Sequence, residues 1–390
     1  MLNQQLQPSS RLIKPLNWRY GQVHAARSRL MQATCLSTLV LLTVSCNSNT
    51  SQTKTSETTT DTLEVAVVND FATQVIIPTY EQLALKADTL ETTVNTFVET
   101  PTAETLQAAQ EAWIAARNPW EQSEAFAFGP ATSLGYDGDL DDWPVNETDV
   151  NAILNSNDEL NLEYIEQLQT TQKGFHTIEL LLFGLENNKT VDDFDGRELT
   201  LLNLLTTAFN QTAKDLVQSW VAGIEGNPAY QQVLATAGNP DNPAYPTVDA
   251  AVAEIVQGMI GCLDEVANEK IGVPLQDQTT DDLESRFSQT SLNDFKNNLL
   301  SVRNAYLGQV PEAGTQGSSL SNIVAAQQPD LDQKVKQQLE TAINAVSAIP
   351  APIEQNITNE AAISQMEAAQ DEILTLFTTI EEEVLPLVQS

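Results

Sequence analysis

The chain has 390 residues, 41% of them hydrophobic, which is room for two or three domains and a sizeable core. Its 18 Lys and Arg stand against 53 Asp and Glu, a formal charge of −35. Such a surface repels nucleic-acid phosphates and anionic headgroups and excludes a nucleic-acid partner.

The first 45 residues run against this balance: Arg11, Lys14, Arg19, Arg27 and Arg29 occur there with no acid. This basic lead runs into CLSTLVLLTVSC at 35–46, an apolar stretch of about ten residues, too short to span a bilayer. A charged lead, an apolar run and small residues before a cysteine make an export signal over 1–45. Thr43-Val44-Ser45-Cys46 resembles a bacterial lipoprotein cleavage site, with Cys46 as the lipidated first residue of the mature chain. Residues 46–62 are polar, rich in Ser and Thr and without apolar period, as expected of a disordered tether. Exported, periplasmic or cell-envelope placement with a lipid anchor to the membrane follows as the expectation. With Cys35 in the signal and Cys46 acylated, Cys262 has no partner, so neither an internal disulfide nor a thiolate metal cluster is expected.

From residue 63 onward the pattern is that of long amphipathic helices. The first, 63–99, carries Val67, Phe71, Val75, Leu83, Leu90 and Phe97, and Pro78 is expected to kink or break it. The second, 103–127, has Leu106, Ala109, Trp113, Ala116 and Trp120 at steps of three and four, with Thr102 as its cap. Residues 129–149, with three Gly, two Pro and five Asp, read as a loop. Further helices are expected at 149–155, 159–185, 196–224, 248–270, 291–307, 330–348 and 358–389, with 308–319 a loop and no strand anywhere. The fold class is all-α, an antiparallel bundle architecture, divided at 63–247 and 248–390. LQAAQEAW at 106–113 echoes MEAAQDEI at 366–373, a hint of two related halves.

One stretch concentrates chemistry. In KGFHTIELLLFG, 173–184, His176 is the only histidine after His24, and Glu179 lies three residues on. Three residues turn a helix by about 300°, so the two side chains share one face, one turn apart. That spacing suits an imidazole nitrogen and a carboxylate oxygen on one ion, or a plain structural pair. Gly174 removes a side chain and admits another element, at a cost of about 1 kcal/mol against Ala in a helix interior. One histidine in the mature chain rules out the usual two- or three-His zinc hydrolase sets, so any metal here draws on further carboxylates. Residues 113–130 offer Arg117, Trp120, Glu121, Ser123 and Glu124. DLDDWP at 139–144 offers Asp141 and Asp142, with Asp142 taken as lining the site. Residues 284–298 offer Arg286, Ser288, Asp294 and Asn298.

Taken together, GFHTIELLLFG, WIAARNPWEQSEAFAFGP, DDWP and SRFSQTSLNDFKNNLLSVRNAYLG resemble the imelysin family, also called insulin-cleaving membrane proteases, over roughly 65–388. The acidic exported form is similar to its iron-regulated protein A branch. The resemblance implies two helical bundles related by duplication and a site at their junction. His176, Glu179, Glu121 and Glu124 would be the metal ligands there, and Arg117, Trp120, Ser123, Asp142, Gly174, Arg286, Ser288 and Asp294 would line it. It implies iron or another divalent metal ion, or a small iron-bearing ligand, as the bound species, with iron-uptake transporter components as partners. A metallopeptidase in which Glu179, Glu124 or Asp142 acts as base on a metal-bound water is the alternative. A structural envelope protein with a vestigial site is the second.

Overall fold

The structure, a computed structural model, describes residues 62–389. The export signal, Cys46 and the tether before residue 62 lie outside the described residues. No helix among the described residues is long and apolar enough to cross a membrane.

The described residues are all-α apart from one two-stranded ribbon. A single helical run from residue 62 reaches Glu99: α-helical over 62–70, π-helical over Phe71–Ile76, then α1, Ile77–Glu99. Pro78 therefore does not break it. A proline lacks an N–H and crowds the carbonyl four residues earlier, here that of Gln74. Widening the helix around that carbonyl relieves the clash, and the freed Gln74 oxygen accepts from Thr315 Oγ1 at 2.5 Å. The same device recurs twice. The π turn Glu265–Ile271 precedes Pro274, with Lys270 four residues back, and Ile380–Val384 precedes Pro386, with Glu382 four back.

Helix α2, Ala103–Glu121, is capped by Thr102 as expected and buries Leu106, Ala109, Trp113, Ala116 and Trp120 along one stripe. The expected loop at 129–149 is largely helical. It holds Pro130–Ser133, then α3, Tyr136–Asp141, and the start of Glu147–Asn155. Gly129 and Gly135, both at positive φ, separate these short pieces, and Asp137 and Asp139 complement the positive end of α3. The expected helix at 159–185 is divided into Leu162–Glu166, a 3-10 turn Thr170–Gln172 and α4, Gly174–Phe183. The break falls at Gly174, whose φ of 75° no continuous helix accommodates.

Then come α5, Gly196–Val221; α6, Val248–Asp264; α7, Ser291–Leu307; α8, Pro329–Ser347; and α9, Glu360–Thr379. The expected loop at 308–319 contains a short antiparallel ribbon pairing Gln309 with Gln316 and Val310 with Thr315. Helix α1 packs between α2 and α5, while α8 packs against α7 and α9. The two sets meet where α2 crosses α7, and where the 3-10 turn Glu124–Phe126 lies against α6 and α7. Gly258 makes the second contact close, because a Cβ there would overlap the carbonyl of Ala125. One continuous apolar core runs through both sets.

Candidate functional site: a buried ionic cluster

The cluster is built from the meeting of α2, α3, α4, α7 and the π turn Glu265–Ile271. Gly174 is the hinge of its geometry. A Cβ there would overlap the Leu140 carbonyl, so only bare backbone lets the start of α4 press on the end of α3. That approach brings His176 Nε2 to 3.0 Å from Asp141 Oδ1. The other ring nitrogen, Nδ1, is 3.2 Å from Glu179 Oε2, one turn further along α4. The second oxygen of Glu179 accepts from the Ser288 amide and hydroxyl, both at 2.7 Å. Glu179 is thereby fixed, and it fixes the imidazole.

Arg117, fully buried on α2, pairs with Glu121 one turn on and with Asp141. Its guanidinium also lies 3.2 Å from Glu284, 3.8 Å from Asp294 and 4.8 Å from the centre of the Phe175 ring. Trp120 Nε1 donates to Asp141 Oδ2 at 2.5 Å. Across the cluster, Lys270 Nζ reaches Glu284 at 2.8 Å, Asn298 Oδ1 at 3.2 Å, Glu121 at 3.6 Å and Glu265 at 3.7 Å. Asn298 in turn donates to Glu121 Oε2 at 2.7 Å. Lys270 is placed by the π turn, so the widened helix forced by Pro274 supplies one wall.

Burial and pairing pull the acids apart. Burial alone would raise Asp141, but Arg117 and His176 beside it outweigh that and hold it at about 2. Burial opposes a charged His176, yet Asp141 and the contact with Glu179 push it up to about 9. Glu121 is pushed up to about 7 by burial, with Arg117 opposing. Burial also raises Asp294 and Glu124 well above the usual carboxylate range, raises Glu265, and lifts Asp137 to about 7. Glu124, Asp137 and Glu265 are only half-buried by accessible surface. Enough protein surrounds each to disfavour its charge, and enough surface remains to meet water, so they form the margin of the cluster.

Acids outnumber cations in this volume, and several of the polar atoms meet their partners only as ion pairs or close contacts. His176 Nε2, Glu284 Oε2, Glu121 Oε1 and both Asp294 oxygens are buried without an aligned hydrogen bond in the structure. Ligand atoms of Asp141, His176 and Glu284 all lie within 4.8 Å of one another. Donors around an ion with bonds of about 2.1 Å sit about 3–3.5 Å apart, so a small inward movement suffices. The donor set is that of a divalent-metal site, reached once Arg117 and Lys270 yield the Asp141 and Glu284 oxygens they hold.

The structure sorts the expected residues clearly. His176, Glu179, Arg117, Trp120, Glu121, Ser288 and Asp294 belong to the cluster, and Gly174 makes it possible. Glu179 sits on the ring nitrogen opposite Asp141, Glu121 lies between Arg117 and Lys270, and Glu124 stands at the margin. Ser123 closes the end of α2, its hydroxyl donating to the Trp120 carbonyl at 2.6 Å. Asp142 turns away to Thr170. Arg286 pairs with Glu147 and with Asp281 and stacks on Phe287, so it stays outside. Sequence reasoning passed over Glu284, Lys270, Glu265 and Asp137. For Lys270 a signal existed: a lone lysine in an apolar helical run, four residues before a proline.

The imelysin family model matches residues 76–380. This chain belongs to the imelysin family. The iron-regulated protein A of Synechococcus elongatus is 40% identical over 322 residues, which cover 83% of this chain and 86% of that protein. A solved chain from Parabacteroides distasonis, named as an iron-regulated protein A precursor, superposes with a TM-score of 0.72. It is 27% identical and covers 82% of this imelysin and 95% of its own length. An imelysin-like protein from Psychrobacter arcticum shares the fold, with a TM-score of 0.67 and 15% identity over 84% of this chain and 96% of that one. The G-x-H-x-x-E residues of this imelysin are thus the ones that order the cluster: the glycine admits α3, the histidine faces Asp141, and the glutamate anchors the histidine.

Proposed function

We propose that this imelysin binds a divalent metal ion, iron foremost, through Asp141, His176 and Glu284, as a cell-envelope protein of iron acquisition anchored at Cys46. One observation carries the reading: the three donor groups converge within 4.8 Å in a buried volume where carboxylates exceed cations. One imidazole and two carboxylates suit ions of borderline to hard character, and thiolate plays no part. A bound ion would supply positive charge and so let acids that burial keeps protonated ionise.

The residues behind the donors support the same reading. Glu179 accepts the Nδ1–H of His176 and so orients the ring, with Nε2 directed at Asp141; loss of the Nε2 proton would expose the lone pair that a ligating imidazole needs. Because His176 holds its second proton up to about pH 9, capture at neutral pH displaces that proton. Arg117 and Lys270 keep the carboxylates paired before the ion arrives, and their own charge disfavours larger positive charge in the site. The name of the Synechococcus relative supports iron as the ion.

Calorimetric titration of untagged, metal-stripped protein with Fe(II), Mn(II), Zn(II) and Cu(II) tests this. The expected result is one equivalent bound with proton release, and a loss of at least about 100-fold in affinity in His176→Ala and Glu284→Gln. If no ion binds, or the variants bind like the wild type, the proposal is wrong.

A further inference from the structure

The lysines of this protein divide unevenly. Among the described residues Lys173, Lys189, Lys214, Lys270, Lys334 and Lys336 each pair with a carboxylate. Lys86 and Lys296 do not, in a chain with 53 acids. These two, from α1 and α7, line the same cleft of about 520 Å³. It lies on the side of α2 and α7 away from the ionic cluster, and the ribbon residue Val310 and Glu312 of the following turn also line it. The volume falls in the range of small-molecule sites.

The floor of this cleft is a ladder of amides between the two helices. Asn118 Oδ1 accepts from Asn293 Nδ2 at 2.7 Å and from Asn297 Nδ2 at 3.1 Å. Asn297 Oδ1 accepts from Gln122 Nε2 at 2.9 Å. Each carboxamide has one accepting and one donating end. With the oxygens of Asn118 and Asn297 taken up, Asn118 offers the cleft its NH₂. Two ammonium groups without counter-ions flank a floor on which Asn118 presents its NH₂, and Glu312 at the exposed rim is the only acid in the lining.

We propose that this cleft binds a small organic anion carrying at least two negative charges on its carboxylate or phosphate groups, held by Lys86 and Lys296 and seated on Asn118. Charged acceptors make the stronger, shorter bonds to such donors. The net charge of the protein repels anions at long range. Two ammonium groups left unpaired amid that excess give the anion a local counter-charge that the rest of the surface lacks. Such a ligand bridges α1 to α7 and so clamps the two helical sets together.

Metal-stripped protein is titrated calorimetrically with citrate, glucose 6-phosphate, orthophosphate and uncharged maltose. Citrate or glucose 6-phosphate is expected to bind in the micromolar range, the tighter one naming the anionic group. Orthophosphate and maltose are expected to bind at least 10-fold more weakly. The double substitution Lys86→Gln/Lys296→Gln is expected to weaken the organic anion at least 10-fold. Neither lysine makes an ion pair or hydrogen bond among the described residues, so the fold loses no polar contact, and an unchanged melting midpoint confirms it. Lys334→Gln, at a distant surface pair, is expected to bind as the wild type does. Absence of binding by both organic anions at millimolar concentration overturns the proposal. Wild-type affinity in the double variant, or equal binding of maltose or orthophosphate, does so as well.

Discussion

Helices α2 and α7 present two opposite faces, and the two faces solve the same problem differently. One turns Arg117 and Glu121 toward Asp294 and Asn298 in a volume closed to water. The other turns Asn118 and Gln122 toward Asn293 and Asn297 in an open cleft. On the first face each charge requires a partner of opposite sign, because an isolated buried ion costs several kcal/mol. On the second, neutral amides satisfy one another pairwise and tolerate loss of a member. The charged face is therefore brittle and the amide face forgiving. Rigidity of that kind would suit the proposed metal site, in which donors are held apart until an ion joins them.

The largest expected break in this contrast is Arg117→Met. It leaves Asp141, Glu121 and Asp294 without their shared guanidinium. Denaturant unfolding at pH 8 should show a loss of about 3–5 kcal/mol. The loss should shrink at pH 5, where Glu121, with its pKa near 7, is protonated; a deficit independent of pH contradicts this account.

Next comes the pH profile of the metal-free protein. His176 has a folded pKa of about 9 against an ordinary 6.5. Its stabilisation is complete below about pH 6.5 and is lost as pH rises through 9, on the order of 3 kcal/mol. Glu121 and Asp137, raised to about 7, act in the same direction at lower pH. Asp141, held near 2, opposes this only below its ordinary value of 3.8. Melting midpoints from pH 5 to 9 should therefore fall in the stripped protein, and saturating metal should flatten the fall. A midpoint that climbs over that interval contradicts it.

Smaller effects sharpen the geometry. Gly174→Ala forces a side chain into positive φ against the Leu140 carbonyl and should cost about 2 kcal/mol. The tryptophan fluorescence of Trp120, bonded to Asp141, should shift with it. Asn118→Ala on the forgiving face should cost only about 1 kcal/mol by the same unfolding measurement.

Much of the site was legible because a few residues carried strong constraints. A lone histidine with a glutamate one helical turn on, preceded by a glycine, marked α4 before any coordinate. Arg117 and Glu121 were marked by the polar cluster at the end of the second helix and by the resemblance of 113–130 to the imelysin family. The helical class followed from the spacing of apolar residues. The sequence reading took Asp142 as lining the site, where the structure places Asp141. The segment read as a loop, and only the phase of a short helix decides which of two adjacent acids points inward. Glu284 lay in a connector with no periodicity to orient it. Lys270 depended on a departure from regular helix geometry, which no 3.6-residue pattern encodes. The amide ladder was illegible for another reason: asparagines on a half-exposed helix face look like ordinary solvated positions until a second helix supplies their partners.

The widened turn at Glu265–Ile271 makes one flank of the site depend on counting as well as on chemistry. Such a turn holds one residue more than regular winding needs. Deleting a single residue there would rotate the downstream backbone by about 100° and swing the ammonium group off its acids, with every side chain still present. Insertions and deletions at this bend, more than exchanges of one residue type for another, are the changes by which a homologue would gain or lose the cation facing Glu284.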